Sequence, residues 1–185
     1  KNVRLIDVNE NPIVNITKNG IKTKNEEFKF DKIIFATGYD ALSGPILSLN
    51  LTGRKNIKLN KYWKNGPITY LGLMIPNFPN FFIISGPGSP SVLTNVPAQI
   101  QQHVEWISEF IRYLEKSNSL SVEPEAKEAE NWVKKINTLA KKSLFMKAKN
   151  SWYKGDNIPG KPKTFIPYPA GLPQYREICN KVQKK

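Results

Sequence analysis

A short glycine-containing segment is the part of this sequence best suited to meet an anionic or electron-rich group. Gly86-x-Gly88-x-x-Ser91 follows an apolar run and precedes a predicted helix, the order of elements that seats the phosphates of a dinucleotide. Pro87 and Pro90 remove N–H groups that a pyrophosphate would use, and Ser91 replaces the third glycine of the usual motif. The spacing is therefore a weak match to a pyrophosphate site. A helix end that meets a flavin ring or another electron-rich group is as good an interpretation.

Few residues are available for acid–base or nucleophilic chemistry. His103, the one histidine, lies in the predicted helix beside its apolar stripe, where a packed or surface role is the more common one. Cys179 has no evident activating neighbour, so we expect an inert thiol. We therefore assign no catalytic residue in this chain and predict no metal site.

An aromatic pair, Trp152 and Tyr153, lies in a Pro- and Gly-rich stretch near the C-terminus. A large aromatic side chain on a loop can close over a pocket, although the pattern alone slightly favours core packing.

The composition excludes several classes of protein. The 185 residues carry 28 Lys+Arg against 15 Asp+Glu, which gives a net charge of +13. Only four of the basic residues are arginines, and the lysines are scattered, so we expect a solvated lysine-rich surface and no nucleic-acid partner. One cysteine cannot form an internal disulfide, and no stretch approaches ~20 apolar residues. We therefore expect a soluble, cytoplasmic protein with no membrane partner.

The sequence predicts strands first and helices later. Alternating residues over 3–8 and around an Asn19-Gly20 pair predict strands and a hairpin. The apolar runs 33–36 and 81–85 are typical of strands buried in a parallel sheet. Between them, residues 40–80 read as loops and short strands.

Two long helices are predicted in the second half. The first is capped by Thr94 or Asn95 and ends near Lys116. Its expected inner stripe consists of Val96, Ile100, Val104, Ile107, Ile111 and Leu114. The second begins at Ser121 or Glu123 and continues to about Phe145. Its expected inner face consists of Ala126, Ala129, Val133, Ile136 and Ala140. A short terminal helix follows.

Several segments together occur in the order and spacing of the C-terminal part of a known enzyme family. The segments are Ile33–Ala41, Gly66–Gly72, Phe78–Asn80, Gly86–Ser91, Gln102–Trp106, Ser151–Tyr153 and Ile158–Pro162. The sequence resembles the Baeyer–Villiger monooxygenases, of the cyclohexanone and phenylacetone monooxygenase type within the class B flavoprotein monooxygenases. The resemblance covers essentially the whole chain. The family's Gly-x-Gly-x-x-Gly motifs for FAD and NADPH and its Phe-x-Gly-x-x-x-His fingerprint are absent from it.

This resemblance implies an α/β fold: part of a flavoprotein with separate FAD- and NAD(P)-binding domains. We expect a C-terminal fragment with parallel-sheet strands, a β-meander and two long helices. Residues 1–36 would end the NADP-binding domain, residues 37–40 would form the interdomain linker, and residues 41–185 would be the C-terminal part of the FAD-binding domain.

The same resemblance implies the residues of the site. Gly86, Pro87, Gly88, Asn95 and Val96 would lie on the FAD side. The NADP-side residues would be Ala36, Thr37, Gly38 and Trp152, and the substrate-side residues would be Ser91, Val92, Leu93 and Trp152. Trp152 would fold over NADP and substrate when the site closes.

The implied activity of the complete enzyme is oxidation of a ketone to an ester or lactone with O2, FAD and NADPH. The missing N-terminal part of the same enzyme would be the partner of this chain, and we expect the chain alone to be inactive. Three alternatives stay open: a flavin monooxygenase acting on nitrogen or sulfur, a non-catalytic remnant module, and a basic nucleic-acid binder, against which the scattered lysines already count.

Overall fold

The computed structural model describes residues 2–183 and divides into two compact units. The first unit ends at Gly38 and the second begins at Tyr39. This division falls within residues 37–40.

The first unit is built on a three-stranded antiparallel sheet. Its strands β1 (Ile13–Thr17), β2 (Gly20–Thr23) and β3 (Glu27–Lys29) are in the order β1-β2-β3, a meander. Thr17 pairs with Gly20, so Lys18 and Asn19 form the two-residue turn and Gly20 already belongs to β2. The predicted hairpin is confirmed, with its turn one residue earlier than the Asn-Gly pair suggested.

Two strands predicted in this unit are not formed. Residues 3–8 and 33–36 have no strand assignment, and Ile34 and Phe35 are exposed. A parallel strand needs neighbours to accept its backbone hydrogen bonds, and no strand lies beside 33–36 within the described part of the chain. The prediction of a buried parallel strand here is therefore corrected.

The second unit is helical with irregular connections. Its α-helices are α1 (Ser43–Ser48), α2 (Leu59–Tyr62), α3 (Val96–Lys116), α4 (Ala126–Lys141) and α5 (Leu172–Gln183). Both long helices are confirmed, and α3 has the predicted bounds, with Asn95 as its cap and a proline in its first turn. Helix α4 is shorter at both ends than predicted, because Glu125 serves as its N-cap and residues 144–147 form a separate 3-10 turn.

The run 81–85, predicted as a second parallel strand, makes only isolated antiparallel contacts. Phe82 bridges to Met74, and Ile83 N–H donates to the Leu73 carbonyl. Ile84 is exposed. The segment therefore covers one side of a turn instead of lying inside a sheet.

Two apolar clusters form the core of the second unit. The larger joins α3, α4 and α5 through aromatic side chains, among them Trp106, Trp132, Tyr168 and Tyr175. The smaller gathers residues of the 59–83 region around Leu59 and Trp63. Nearly all of the predicted inner face of α4 is buried or half-buried, with Trp132 added and Ala126 exposed.

The face that α3 buries differs from the predicted one. Its buried residues are Gln99, Gln102, His103 and Trp106, whereas three members of the predicted inner stripe, Ile100, Val104 and Ile111, are exposed. Gln99 and His103 are inside because they bond Ser85 and Ser89, which precede the helix. The other three members of the predicted stripe, Val96, Ile107 and Leu114, are half-buried.

Candidate functional site

The Gly86–Ser91 turn is buried and its backbone groups are bonded within the chain. Gly88 N–H donates to the Ile166 carbonyl at 2.8 Å, and Ser89 N–H donates to the Gly86 carbonyl at 3.1 Å. Thr69 Oγ1 donates to the Pro87 carbonyl at 2.5 Å. N–H groups that already have partners cannot cradle phosphate oxygens. This turn is therefore a structural anchor, and the weakness of its phosphate motif has a physical cause.

Tight packing explains the glycine at position 88. Its φ is +93°, and a Cβ atom there would lie 2.8 Å from Thr69 Oγ1 and 3.1 Å from Trp132 Nε1. Trp132 Nε1 donates to the Gly88 carbonyl at 3.0 Å. A side chain would have to displace the groups that hold the turn to α4.

The chain reaches the surface immediately after this anchor. Ser91 is buried with φ +50°, in the left-handed region, and begins a 3-10 turn that spans Ser91–Leu93. Val92 is 49% exposed and Leu93 is half-buried. A short apolar edge with a solvent-facing valine therefore lies just before α3.

The N-terminus of α3 follows that edge. Asn95 is exposed, and its Oδ1 accepts the Ala98 N–H at 3.1 Å. Val96 is half-buried, and the first turn holds no acidic residue. The positive end of the helix dipole is therefore not neutralised by a side chain on the helix. An electron-rich group placed beside residues 92–96 would be stabilised by it.

A buried polar layer fixes α3 against the anchor. Gln99 Nε2 donates to Ser85 Oγ at 3.2 Å and to Ser89 Oγ at 3.1 Å. His103 Nδ1 accepts the Ser85 N–H at 3.0 Å, and its Nε2 lies 3.0 Å from Tyr175 Oη. Gln99 and His103, one helical turn apart on α3, thus hold the Gly86–Ser91 segment through Ser85 before it and Ser89 within it.

These contacts define the state of His103. Because Nδ1 accepts, Nε2 carries the hydrogen and donates to Tyr175 Oη, which donates to the Leu71 carbonyl at 2.6 Å. Burial lowers the pKa of His103 to about 4. The imidazole is a neutral, packed connector, as the sequence suggested, and not an acid–base group at neutral pH.

Trp152 lies in the 3-10 turn Trp152–Lys154 and is half-buried. Its ring stacks on Tyr153, with centroids 4.2 Å apart, and Tyr153 contacts Phe145 at 5.2 Å. The Tyr153 carbonyl accepts the Ile166 N–H at 2.8 Å, which connects this turn to the segment around Ile166. One face of Trp152 is therefore packed on Tyr153, and the side chain as a whole is only partly accessible.

Charged groups hold the residues after Trp152. Asp156 accepts the Ser151 N–H and pairs with Lys154 at 2.9 Å. The hydrogen bond from Lys154 lowers the pKa of Asp156 below its usual range. Further along, Lys161 Nζ bonds Asp40 Oδ1, and the Lys161 side chain is only 10% exposed. The segment that carries Trp152 is thereby tied to the first residues after the division between the units.

The predicted site residues fall into separate groups. Gly86, Pro87, Gly88 and Ser91 are buried in the anchor. Val92, Leu93, Asn95 and Val96 form one continuous surface edge, and Trp152 lies on a different segment of the second unit. Ala36, Thr37 and Gly38 end the first unit and are exposed.

The polar layer of Gln99, His103 and Tyr175 was not predicted. No local signal in the sequence indicates it, because the partners of Gln99 and His103 lie 10 to 72 residues away.

Cys179 is the remaining side chain with nucleophilic chemistry that the sequence singled out. Cys179 is buried, and burial raises the pKa of its thiol to about 11. Within residues 2–183, no group of three or more His, Cys, Asp or Glu side chains is placed to hold a metal ion. None of the helices in that same stretch is both long and apolar enough to cross a membrane.

No family model matches the chain, but individual proteins do. It is 43% identical to a cyclohexanone 1,2-monooxygenase of Acinetobacter sp. over 97% of its length and 33% of that protein's. It is 42% identical to a Baeyer–Villiger monooxygenase of Pseudooceanicola batsensis over all of its length and 33% of that protein's.

A solved structure agrees with these matches. A crystal structure of OTEMO in complex with FAD and NADP superimposes with a TM-score of 0.90 at 32% identity, covering 99% of this chain and 33% of that one. The chain thus spans about a third of the length of the relatives it matches. By sequence and by fold, this chain is similar to that third of these monooxygenases.

Proposed function

We propose that this chain is the C-terminal part of an FAD- and NADPH-dependent monooxygenase that converts a ketone into an ester or lactone with O2. The observation that carries the proposal is the match along 97–100% of the chain to relatives that bear these names. The single free cysteine and the use of NADPH favour the cytoplasm as its compartment.

The surface edge at 92–96 fits a flavin ring. Val92 offers an exposed apolar contact, and the N-terminus of α3 offers a positive dipole end with no acidic side chain in its first turn. In this assignment Asn95 and Val96 lie on the FAD side, and Gly86, Pro87 and Gly88 act by holding that edge in place. Pyrophosphate binding would belong to residues outside this chain, because the N–H groups of Gly88 and Ser89 are occupied.

When bound, FAD reduced by NADPH supplies the electrons for oxygen activation. The contribution of this chain is to shape the space around the reacting centre. Ser91, Val92 and Leu93 would line the substrate side, with the buried Ser91 fixing the backbone and Val92 meeting the ketone through apolar contact. An apolar wall also excludes water from the reaction.

The NADP side would be formed by Ala36, Thr37 and Gly38 together with Trp152. In this proposal residues 1–36 end the NADP-binding domain, residues 37–40 link the domains, and residues 41–185 belong to the FAD-binding domain. Trp152 would close over NADP and substrate. Its partial exposure and its position on a short 3-10 turn support that role.

The missing part of the enzyme would be the main partner of this chain. We expect the isolated 185 residues to retain no FAD and to produce no lactone from cyclohexanone and NADPH. Lactone formed by the isolated chain would contradict its expected dependence on the missing part.

A chimera tests the function directly. The third of the Acinetobacter cyclohexanone 1,2-monooxygenase that matches this chain is replaced by it, and flavin absorbance, NADPH consumption and lactone are measured. We expect retained flavin and lactone formed from cyclohexanone. Oxidation of amines or sulfides with no ketone product would instead indicate an enzyme that acts on nitrogen or sulfur.

The same chimera tests Trp152. Trp152→Ala should lower kcat/KM for the ketone on the order of tenfold or more, because the pocket closes poorly. Tyr113→Ala, which removes an exposed aromatic near the other end of α3, is the matched control and should leave turnover unchanged.

A further inference from the structure

An apolar stripe runs along the outside of α3. Ile100, Val104 and Ile111 are 39%, 45% and 40% exposed. Ile107, between them in the same register, is half-buried and packs partly against the larger core cluster. The spacing of four, three and four residues puts these side chains on one face of the helix.

The exposure of these side chains does not arise because α3 is free to rotate about its axis. The neighbouring face, roughly 100° around the axis, buries the polar Gln99 and His103 and bonds them to Ser85, Ser89 and Tyr175. Trp106 on the same buried side packs in the core. The helix is thus held by polar and apolar contacts, with Ile100, Val104 and Ile111 outward. Such an arrangement is typical of a helix that packs between two layers, of which one is present here.

We propose that this stripe packs against the polypeptide that is absent from the chain, namely the rest of the monooxygenase. The inference rests on the proposed function. The relatives are about three times as long, and the fold of this chain recurs within them over 97–99% of its length. The same α3 therefore occurs there beside further protein.

The position of the stripe supports this occupant. It begins at the α3 terminus that carries Asn95 and Val96, next to the edge that would face FAD. In the proposed function the residues that bind the FAD pyrophosphate lie outside this chain, so the polypeptide that holds the same FAD would approach this end of α3. The stripe extends that proposed contact along the helix.

The size of the stripe favours a covalently linked partner over a second copy of the chain. Stable interfaces between separate proteins bury about 1,200 Å² or more, and four aliphatic side chains supply only a fraction of that. Packing within one polypeptide avoids the translational and rotational cost of association. A narrow stripe is therefore sufficient for an intramolecular layer.

Cysteine labelling tests the proposal. Val104→Cys and Ile111→Cys are compared with Leu120→Cys, an exposed control position outside the stripe that is 95% accessible. Cys179 is buried with a raised pKa and reacts little. Each variant is treated with a maleimide, both in the 185-residue chain and in the chimera, and the labelled peptides are quantified by mass spectrometry.

We expect the thiols introduced by Val104→Cys and Ile111→Cys to react readily in the isolated chain and about tenfold or more slowly in the chimera. The thiol introduced by Leu120→Cys should react equally in both. Equal labelling of the Val104→Cys variant in both proteins would overturn the proposal. Protection in the isolated chain would also overturn it: a second copy is the occupant if that protection depends on concentration, and the chain's own first unit if it does not.

A second measurement covers a chimera that does not fold. The chain carrying Val104→Cys is then co-expressed with the remaining two thirds of the Acinetobacter relative, which is purified through a tag. The stripe and the 92–96 edge both belong to the surface that the two pieces would share, so that surface is larger than the stripe alone. Co-purification with a protected thiol at position 104 supports the proposal; co-purification with a reactive thiol, or no co-purification, counts against it. In a flavin-containing chimera that forms lactone, a reactive thiol at that position refutes only the docking surface. A protected thiol there without ketone oxidation refutes only the proposed function.

Discussion

The two units of the chain bury apolar surface to very different extents. Within residues 2–183, all the buried large hydrophobic side chains lie at or after Leu59. In the first unit, Ile13, Val14 and Ile16 of β1 are each about half exposed or more. The second unit instead stacks Trp132 on Tyr168 at 5.1 Å and joins them to Tyr175.

This difference indicates how each unit obtains its stability. A small three-stranded sheet whose β1 side chains are largely exposed gains little from apolar burial, whereas an aromatic core tied by three helices gains much more. We therefore expect the first unit to be the less stable of the two. Substitutions in the two units should therefore have unequal effects.

The largest expected difference is between Trp132→Ala and Phe30→Ala. Trp132→Ala creates a cavity and leaves the Gly88 carbonyl without its donor, so we expect a loss of about 3–5 kcal/mol in the free energy of unfolding. Phe30, 48% exposed, should cost less than about 1 kcal/mol. Urea unfolding followed by far-UV circular dichroism measures both. Equal losses would show that the first unit has a core of its own.

The next comparison concerns two glycines of the second unit. Gly88→Ala forces a side chain into the left-handed region and against Thr69 Oγ1 at 2.8 Å, so we expect a loss of about 2–4 kcal/mol. Gly160 has φ +79° and open space around it, so Gly160→Ala should cost only the backbone strain of about 1 kcal/mol. Thermal unfolding of both variants gives the difference. Similar losses would mean that the anchor is not tightly packed.

Local signals predicted much of the second unit but not the face that α3 buries. The Asn95 cap and Pro97 defined the start of α3 correctly, because both act within one turn. Its inner face was predicted wrongly because Gln99 and His103 find partners at Ser85, Ser89 and Tyr175, up to 72 residues away. Sequence periodicity contains no information about such partners.

The parallel strands failed for a related reason. Runs such as 33–36 have the composition of buried strands, yet in the described chain nothing covers Ile34 and Phe35. The composition of this run is typical of a buried strand, but the described chain does not bury Ile34 and Phe35. For the site, the sequence located the 92–96 edge through a family resemblance, and its contacts with cofactors stay a prediction.

A pH dependence specific to the second unit is expected next. Burial lowers the pKa of His103 from 6.5 to about 4. Between pH 6.5 and about pH 4, the histidine of the unfolded chain therefore binds a proton that the folded unit does not bind. The contribution of neutral His103 to the free energy of unfolding is present above about pH 6.5 and is lost on acidification. We expect the free energy of unfolding to fall by about 2 kcal/mol between about pH 7.5 and about pH 5. Urea unfolding followed by tryptophan fluorescence reports this, since all four tryptophans lie in the second unit.

His103→Gln is the control for this effect. The chain has one histidine, so the variant should be less stable at neutral pH and nearly independent of pH over that interval. A variant that keeps the full dependence would place its origin elsewhere and would remove His103 from the explanation.

The smallest expected effect compares one ion pair in each unit. Lys161 bonds Asp40 with its side chain 10% exposed, whereas Arg4 pairs with Glu26 at 2.7 Å with its side chain 64% exposed. Lys161→Met should cost about 1 kcal/mol, since Asp40 can regain water, and Arg4→Met about 0.5 kcal/mol or less, because exposed pairs are screened. Hydrogen exchange at 13–29 and urea unfolding of the second unit give the two values. If Arg4→Met proves the more costly, the sheet is stabilised by its charged surface more than the second unit is by its half-buried pair.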